Sequence, residues 1–476
     1  MKKTRILIAV GLFLFSVLSF TQGEGLKERL VKYFDPITHQ EVDIVADEIL
    51  VKFKPGTLID KILQFFRQYS LLKIDAVDEV GWFLLRVPAG KTVTEMIDLL
   101  NKDLNILYVE PNFVMKTMAT IPDDEHYNKQ WGPGMIELDK AWDLEKGSPD
   151  ITVAVLDTGI DLNHPDLKDN LIRGFDFVTP DFDPADDNGH GTMVAGIIGA
   201  RGNNNLGIAG VTWYSKLLPV KVIDAEGYGS YWKVGAGIIY SVIKGAKIIN
   251  VSLGGYSYSR FLEAVVNFAL WRDCTLVAAA GNDNTNTPVY PAACEGVIGV
   301  AASDKEDKIF SESNWGDFVD LSAPGVDIYS TTLAQSYDYG SGSSFAAASV
   351  SGQVALLLSA KSSLTREEIE QILYNNADYI TKESGYGHGR INVYRTLLAA
   401  KGIENVDISV RDVEIIPETP VSGQEATVKV TLQNQGNVQT SPTILRLHID
   451  DAPFDTVDIP ALSPNEVLIK ELKWVP

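Results

Sequence analysis

The chain has 476 residues, of which 45% are hydrophobic and 22% charged. That is too long for one ordinary core and too apolar for a disordered chain, so two or three globular domains are expected. Acidic residues outnumber basic ones 63 to 41, a formal net charge of −22, which argues against nucleic acid or an anionic membrane as the main partner.

The N-terminus, MKKTRILIAVGLFLFSVLSF, sets Lys2, Lys3 and Arg5 before an apolar run from Ile6 to Phe20, with polar Thr21-Gln22-Gly23 behind. This is the layout of a secretory signal peptide over residues 1–23. No other stretch is long and apolar enough to leave a membrane span after its removal. The expected location is secreted and extracellular, with association at the cell surface as a variant of it.

Three blocks follow. In the first, residues 46–117, DEILVKFKPG reads as a strand and LIDKILQFFRQY as a helix. LKIDAV and GWFLLRVPAG are strands, TVTEMIDLLNK a helix and ILYVEPN a last strand. The sum, β-α-β-β-α-β, is a small α+β, ferredoxin-like unit. The second block, residues 120–402, alternates helical stretches with the near-continuous apolar strands ITVAVLD, KLLPVKVI, AKIINVSLGG, CTLVAAAGN and GVIGVAA. That pattern predicts an α/β fold with a parallel sheet covered by helices on both faces, and chemistry gathered beyond the strands' C-terminal ends. The third block, residues 406–476, switches to polar/apolar alternation in VDISVRDVEI, EATVKVTLQNQG, TILRLHID and VLIKELKW, the pattern of an antiparallel β-sandwich. It falls about one strand short of a complete sandwich, as a truncated domain would. Two cysteines, Cys274 and Cys294, each precede a strand of the second block, which leaves open a single bridge or two buried thiols.

The stretch YGSGSSFAAASVSG, Tyr339–Gly352, runs from a Gly/Ser loop into a helix of small residues and presents Ser344 at its start. A helix N-terminus favours developing negative charge. Two other loops of the block carry matching chemistry. VAVLDTGID ends a buried strand on Asp157, a carboxylate that needs a basic or hydrogen-bonding partner, and DDNGHGTMVAG places His190 between glycines. Activating a serine takes a base, and orienting the base takes a carboxylate.

With these residues on the page, the block resembles the subtilisin-like serine proteases. VAVLDTGID, NGHGTMVAG and GSGSSFAAASVSG match the three signatures in the order Asp157, His190, Ser344, while HPDL, NNNLGIAG and GHGRINVYR point to the thermitase and fervidolysin branch. The resemblance implies Ser344 as nucleophile, His190 as general base and then acid, and Asp157 as its orienting carboxylate. It implies Asn282 in VAAAGND as oxyanion donor beside the Ser344 N–H. Ser252, Leu253 and Gly254 of NVSLGG become the edge that takes up substrate as an extra strand. Val289 falls at the floor of the pocket for the residue before the cut, which favours medium apolar or aromatic residues there over basic ones. The chain departs from the family pattern at Met193, where many members carry a second His, and at Ala348-Ser349, where Pro-His is usual.

The same resemblance implies a structural Ca²⁺ held by Asp124, Asp166 and Asn204, with a second acidic cluster, Asp176, Asp181, Asp183 and Asp187, as either another ion site or a solvated loop. The first block resembles subtilase propeptides, which act as chaperone and intramolecular inhibitor. Self-cleavage is expected between Lys116 and Pro122. The third block resembles CARDB-type adhesion modules. The expected activity is therefore that of a serine endopeptidase acting on proteins and peptides, a zymogen that processes itself. The rival is a non-catalytic adhesion protein on a protease scaffold. A lipase-type esterase is disfavoured, since Ser344 lacks the glycine two residues on that G-x-S-x-G requires.

Overall fold

The structure, a computed structural model, describes residues 6–11, 30–35, 40–77, 80–114, 119–380, 384–417, 419–449 and 452–475. They fall into two compact units, one built on Leu14–Met118 and the other on Ala119–Ile449 with Pro453–Pro476. Most of residues 1–23, the expected signal peptide, lie outside the described residues. Its segment Ile6–Gly11 (β1) is a strand.

The first unit holds β2 (Leu30–Asp35), β3 (Gln40–Phe53), α1 (Ile59–Gln68), β4 (Leu72–Val77), β5 (Trp82–Arg86), α2 (Val93–Leu100) and β6 (Ile106–Phe113). The sheet runs β2-β3-β5-β4, with β6 pairing β3 on the side away from β5. The expected β-α-β-β-α-β order is present, preceded by the hairpin partner β2 that was not expected. Thr92 caps α2 in a reciprocal box with Glu95, satisfying two N-terminal donors of the helix. Ile49, Val51, Leu85, Met96 and Leu100 are buried between sheet and helices.

The second unit opens with short helices α3 (Gly132–Met135) and α4 (Leu138–Leu144). Its main sheet comprises β7 (Thr152–Asp157), β8 (Phe175–Asp176), β9 (Lys216–Lys221), β10 (Ile248–Val251), β11 (Thr275–Ala279), β12 (Val297–Ser303) and β13 (Leu321–Pro324). Their order is β13-β12-β11-β10-β7-β9-β8 and every pairing is parallel. Two-sided burial explains the near-continuous apolar runs. In β7, Val153 and Val155 pack into one core with α5 (His190–Gly199) and α8 (Ser343–Ala360). Ala154 and Leu156 pack into the other with α6 (Tyr231–Ile243) and α7 (Arg260–Trp271). The hairpin β14 (Ile328–Thr332) and β15 (Ser336–Gly340) leads into α8; α9 (Arg366–Asn375) and α10 (Val393–Lys401) close the domain. Among the described helices only α8 is long and apolar enough to cross a membrane, and here it is a core helix. Cys274 and Cys294 are both buried free thiols, and burial pushes each up to about 11.

The C-terminal strands β16 (Ile408–Ile416), β17 (Ala426–Asn434), β18 (Thr443–Ile449), β19 (Ala452–Ile459) and β20 (Val467–Trp474) form two antiparallel sheets, β16-β17-β20 and β1-β18-β19. Val428, Val430, Leu432, Leu445 and Leu447 fill the core between them.

Candidate active site

The order of the main sheet reverses at its first strand. β7 is flanked by β9 on one side and β10 on the other, and the chain crosses from one side to the other between those two, which makes the gap beyond the C-terminal ends of β7 and β10 the switch point where open α/β sheets place ligands. Asp157 ends β7 and Ser252 follows β10. His190 opens α5, and Ser344 is the second residue of α8.

Asp157 is 1% exposed, and its Oδ1 accepts from the Thr158 N–H at 2.8 Å and from His190 Nδ1 at 2.7 Å. Its Oδ2 is buried with no hydrogen-bond partner. Burial disfavours the imidazolium of His190, yet the charge and hydrogen bond of Asp157, with Asp186 behind it, hold its pKa above the usual value. The ring of Phe345, next to Ser344, lies 5.8 Å from the His190 ring, so the imidazole sits against the start of α8.

Ser344 and Ser252 bond reciprocally. Ser344 Oγ donates to the Ser252 carbonyl at 3.1 Å, and Ser252 Oγ donates to the Ser344 carbonyl at 2.9 Å. A cleft of about 160 Å³ is lined by Ser252, Leu253, Gly254, Val289, Asn282 and Ser344. Val289 is buried, and a Cβ added to Gly254 would come within 2.4 Å of it, so the glycine leaves the pocket open above that side chain. Asn282 Oδ1 accepts the Ser343 N–H at 2.8 Å. The departures from the family pattern leave α8 unbroken: Ala348 is fully buried, and Ser349 Oγ donates to the Phe345 carbonyl one turn back.

Sequence reasoning missed Asp186. Its Oδ1 accepts from Thr158 Oγ1 at 2.8 Å and from the Asn188 and Gly189 N–H groups; its Oδ2 accepts from the Thr192 N–H at 2.9 Å and from Thr192 Oγ1 at 2.6 Å. It thereby serves as the side-chain cap that Gly189, at φ 107°, cannot supply to α5. Buried Lys221 was missed too; its Nζ donates to the Thr158 carbonyl and to Asp187 Oδ1, both at 2.5 Å.

The expected calcium ligands meet at one place. Asp124 Oδ2 accepts the Asn203 N–H at 2.7 Å, while its buried Oδ1 has no partner. Asp166 accepts from Asn204 Nδ2 at 3.1 Å, from the Ile208 N–H at 2.9 Å and from Tyr337 OH at 2.9 Å. Burial, together with the nearby Asp166 charge, pushes the Asp124 carboxyl up to about 6. Two buried carboxylates, one with a free oxygen, form the hard-oxygen environment that suits Ca²⁺. Three carboxylates of the second acidic cluster have partners within the protein. Asp187 is paired with Lys221, while Asp176 and Asp181 accept backbone N–H groups of their own turns. Among the described residues no group of three or more His, Cys, Asp or Glu side chains converges.

Comparison with known proteins gives three family matches: the subtilase family over residues 148–389, the fervidolysin N-terminal prodomain over 37–112 and CARDB over 405–476. A thermophilic serine proteinase of Bacillus sp. (strain AK1) is 36% identical over 392 residues, spanning 82% of this chain and 97% of that one. Thermitase of Thermoactinomyces vulgaris is 40% identical over 278 residues, 58% of this chain and 99% of its own. Among solved structures, a protease from Pseudoalteromonas arctica matches with a TM-score of 0.56 and 31% identity, covering 59% of this chain and 100% of that one.

Proposed function

Because the chain belongs to the subtilase family and is a serine endopeptidase with a fervidolysin-type prodomain, we propose that it cuts peptide bonds through Asp157, His190 and Ser344 and is made as a secreted, self-processing zymogen. The observation that carries this reading is the 2.7 Å contact between His190 Nδ1 and Asp157 Oδ1, made beside the first turn of α8, which carries Ser344.

With Nδ1 held as the donor, Nε2 is the basic nitrogen of His190. It takes the Ser344 proton as Oγ attacks the scissile carbonyl carbon, and returns it to the leaving amine as the C–N bond breaks. Water then repeats the attack on the acyl-enzyme with the same base. Asp157 stabilises the imidazolium at each passage. Asn282 Nδ2 and the Ser344 N–H receive the developing oxyanion. Substrate pairs along Ser252–Gly254 as an added strand, with Val289 below the side chain preceding the cut.

Asp124, Asp166 and Asn204 would hold one structural Ca²⁺, whose charge offsets the two buried carboxylates; no catalytic step passes through it. The prodomain would occupy the cleft until it is cut away between Lys116 and Pro122, a segment of which residues 115–118 lie outside the described residues. The leader supports secretion, and the C-terminal sandwich supports attachment at a surface.

The test is a timed incubation of the wild-type chain and Ser344→Ala with Ca²⁺, read by intact mass, with fluorophosphonate labelling in parallel. Loss of the first block from wild type alone, together with labelling of wild type alone, is the expected result. A wild type that neither labels nor shortens under any calcium or temperature condition overturns the proposal and favours the non-catalytic adhesion protein.

A further inference from the structure

Asn282 is itself solvent-exposed, in a loop of Gly, Asn and Asp that has no secondary structure to order it. An amide that must meet a developing charge within a few tenths of an ångström cannot be left to a mobile loop. The order comes from elsewhere. Asn314, far along the chain in SESNWG, is fully buried and directed at this loop. Its Nδ2 donates to the Ala280 carbonyl at 3.0 Å; its Oδ1 accepts the N–H groups of Asp283 at 2.9 Å and Thr285 at 3.1 Å. Its own backbone N–H donates to the Gly281 carbonyl at 3.0 Å. Every one of these bonds falls within three residues of Asn282, on one side of it or the other.

Two further features make the grip specific. Gly281 adopts φ +104°, and a Cβ there would stand 2.3 Å from Asn314 Nδ2, so the loop is shaped around this side chain. Asn314 Nδ2 also reaches Tyr256 OH at 3.4 Å, and Tyr256 OH in turn donates to Asp283 Oδ2, which ties the loop to the segment after β10 that borders the cleft. With its flanks fixed and its Oδ1 held by the Ser343 N–H, the Asn282 amide has only Nδ2 left to offer. Amide planarity turns that group away from Ser343.

We propose that Asn314 is a positioning residue for the oxyanion hole, fixing Asn282 by clamping the chain on both sides of it. The inference rests on Asn282 being the oxyanion donor, as proposed above. Asn314 touches no reacting atom, and its effect passes entirely through Asn282.

The experiment is a double-mutant cycle on the mature enzyme with a chromogenic peptide substrate, kcat being expressed per active site titrated with a fluorophosphonate so that only folded molecules count. Asn282→Ala should lower kcat about 100- to 1,000-fold with KM little changed. Asn314→Ala should lower kcat about 10- to 100-fold and weaken a peptide trifluoromethyl ketone, which binds as an oxyanion, by the same factor. In the Asn282→Ala background it should do nothing further. Asn314→Ser, a milder change that retains a polar atom, should fall between wild type and Asn314→Ala. If Asn282→Ala leaves kcat unchanged, the oxyanion reading itself fails. If Asn282→Ala lowers kcat but the Asn314 variants do not, or if the two losses multiply in the double variant, the positioning role alone is refuted.

Discussion

Replacing Asp124 by asparagine should have opposite effects on stability with and without calcium. In the wild type without metal, Asp124 Oδ1 is buried and meets no donor, an arrangement that costs about 1–3 kcal/mol or more for a charged group. Asparagine removes the charge and keeps an acceptor for the Asn203 N–H, giving up about 1 kcal/mol of charge assistance in that bond. In a chelator the variant should therefore match or exceed the wild type by about 1 kcal/mol. Calcium at a hundred times its Kd adds about 2.7 kcal/mol to the wild type, roughly 5–10 °C in Tm for a domain of this size, and the variant should lose most of that gain. The assay is thermal unfolding of Ser344→Ala protein, which cannot digest itself, in EGTA and in millimolar Ca²⁺. A variant destabilised equally in both conditions would mean that Asp124 is only a loop cap and that no cation belongs beside it.

Asp157→Asn removes the charge that raises the His190 pKa, so the acid limb of the kcat/KM profile, expected above 6.5 in wild type, should move to lower pH while kcat falls about 10⁴-fold; a limb that stays in place would detach His190 from Asp157. Gly191→Ala should cost most of the activity, because the new Cβ would stand 2.1 Å from the Gly159 carbonyl oxygen and 3.0 Å from Asp157 Cβ, forcing the histidine loop off the carboxylate; full kcat in this variant would show that the loop has slack. Val289→Ala deepens the pocket and should shift kcat/KM toward larger aromatic residues before the cut by about 10-fold or more, measured with a matched series of peptide substrates; an unchanged ranking would place the floor elsewhere.

The parallel sheet was readable because burial on both faces leaves unmistakable apolar runs, as in ITVAVLD and GVIGVAA. The strands that escaped notice were β8, only two residues long, and β13, whose LSAP carries little hydrophobic signal. The hairpin strand β2 and the sandwich strand β19 were missed because polar residues break their patterns. Asp157, His190 and Ser344 stood out because each sits in a compact local motif. Asp186 and Asn314 did not. Both act by satisfying backbone groups of a loop, and nothing in the neighbouring residues separates Asp186 from Asp187, or Asn314 from an ordinary turn asparagine. Asn314 meets its loop only through folding, from about thirty residues away in sequence. For the second acidic cluster the sequence left an ion site and a solvated loop equally open, because the pairing of Asp187 with Lys221 is made only through folding.

Helix α8 is buried along all but its last two residues, Ser344 included, and it packs at the centre of the larger core. Beyond its first turn, which faces the cleft, its amides can exchange with solvent only when that core opens, so the helix that carries Ser344 has no local fraying route of its own. Heat inactivation should accordingly follow global unfolding without an earlier, softer step. In a mixture of its own molecules, moreover, the bonds around Ser344 should be among the last that this protease can cut.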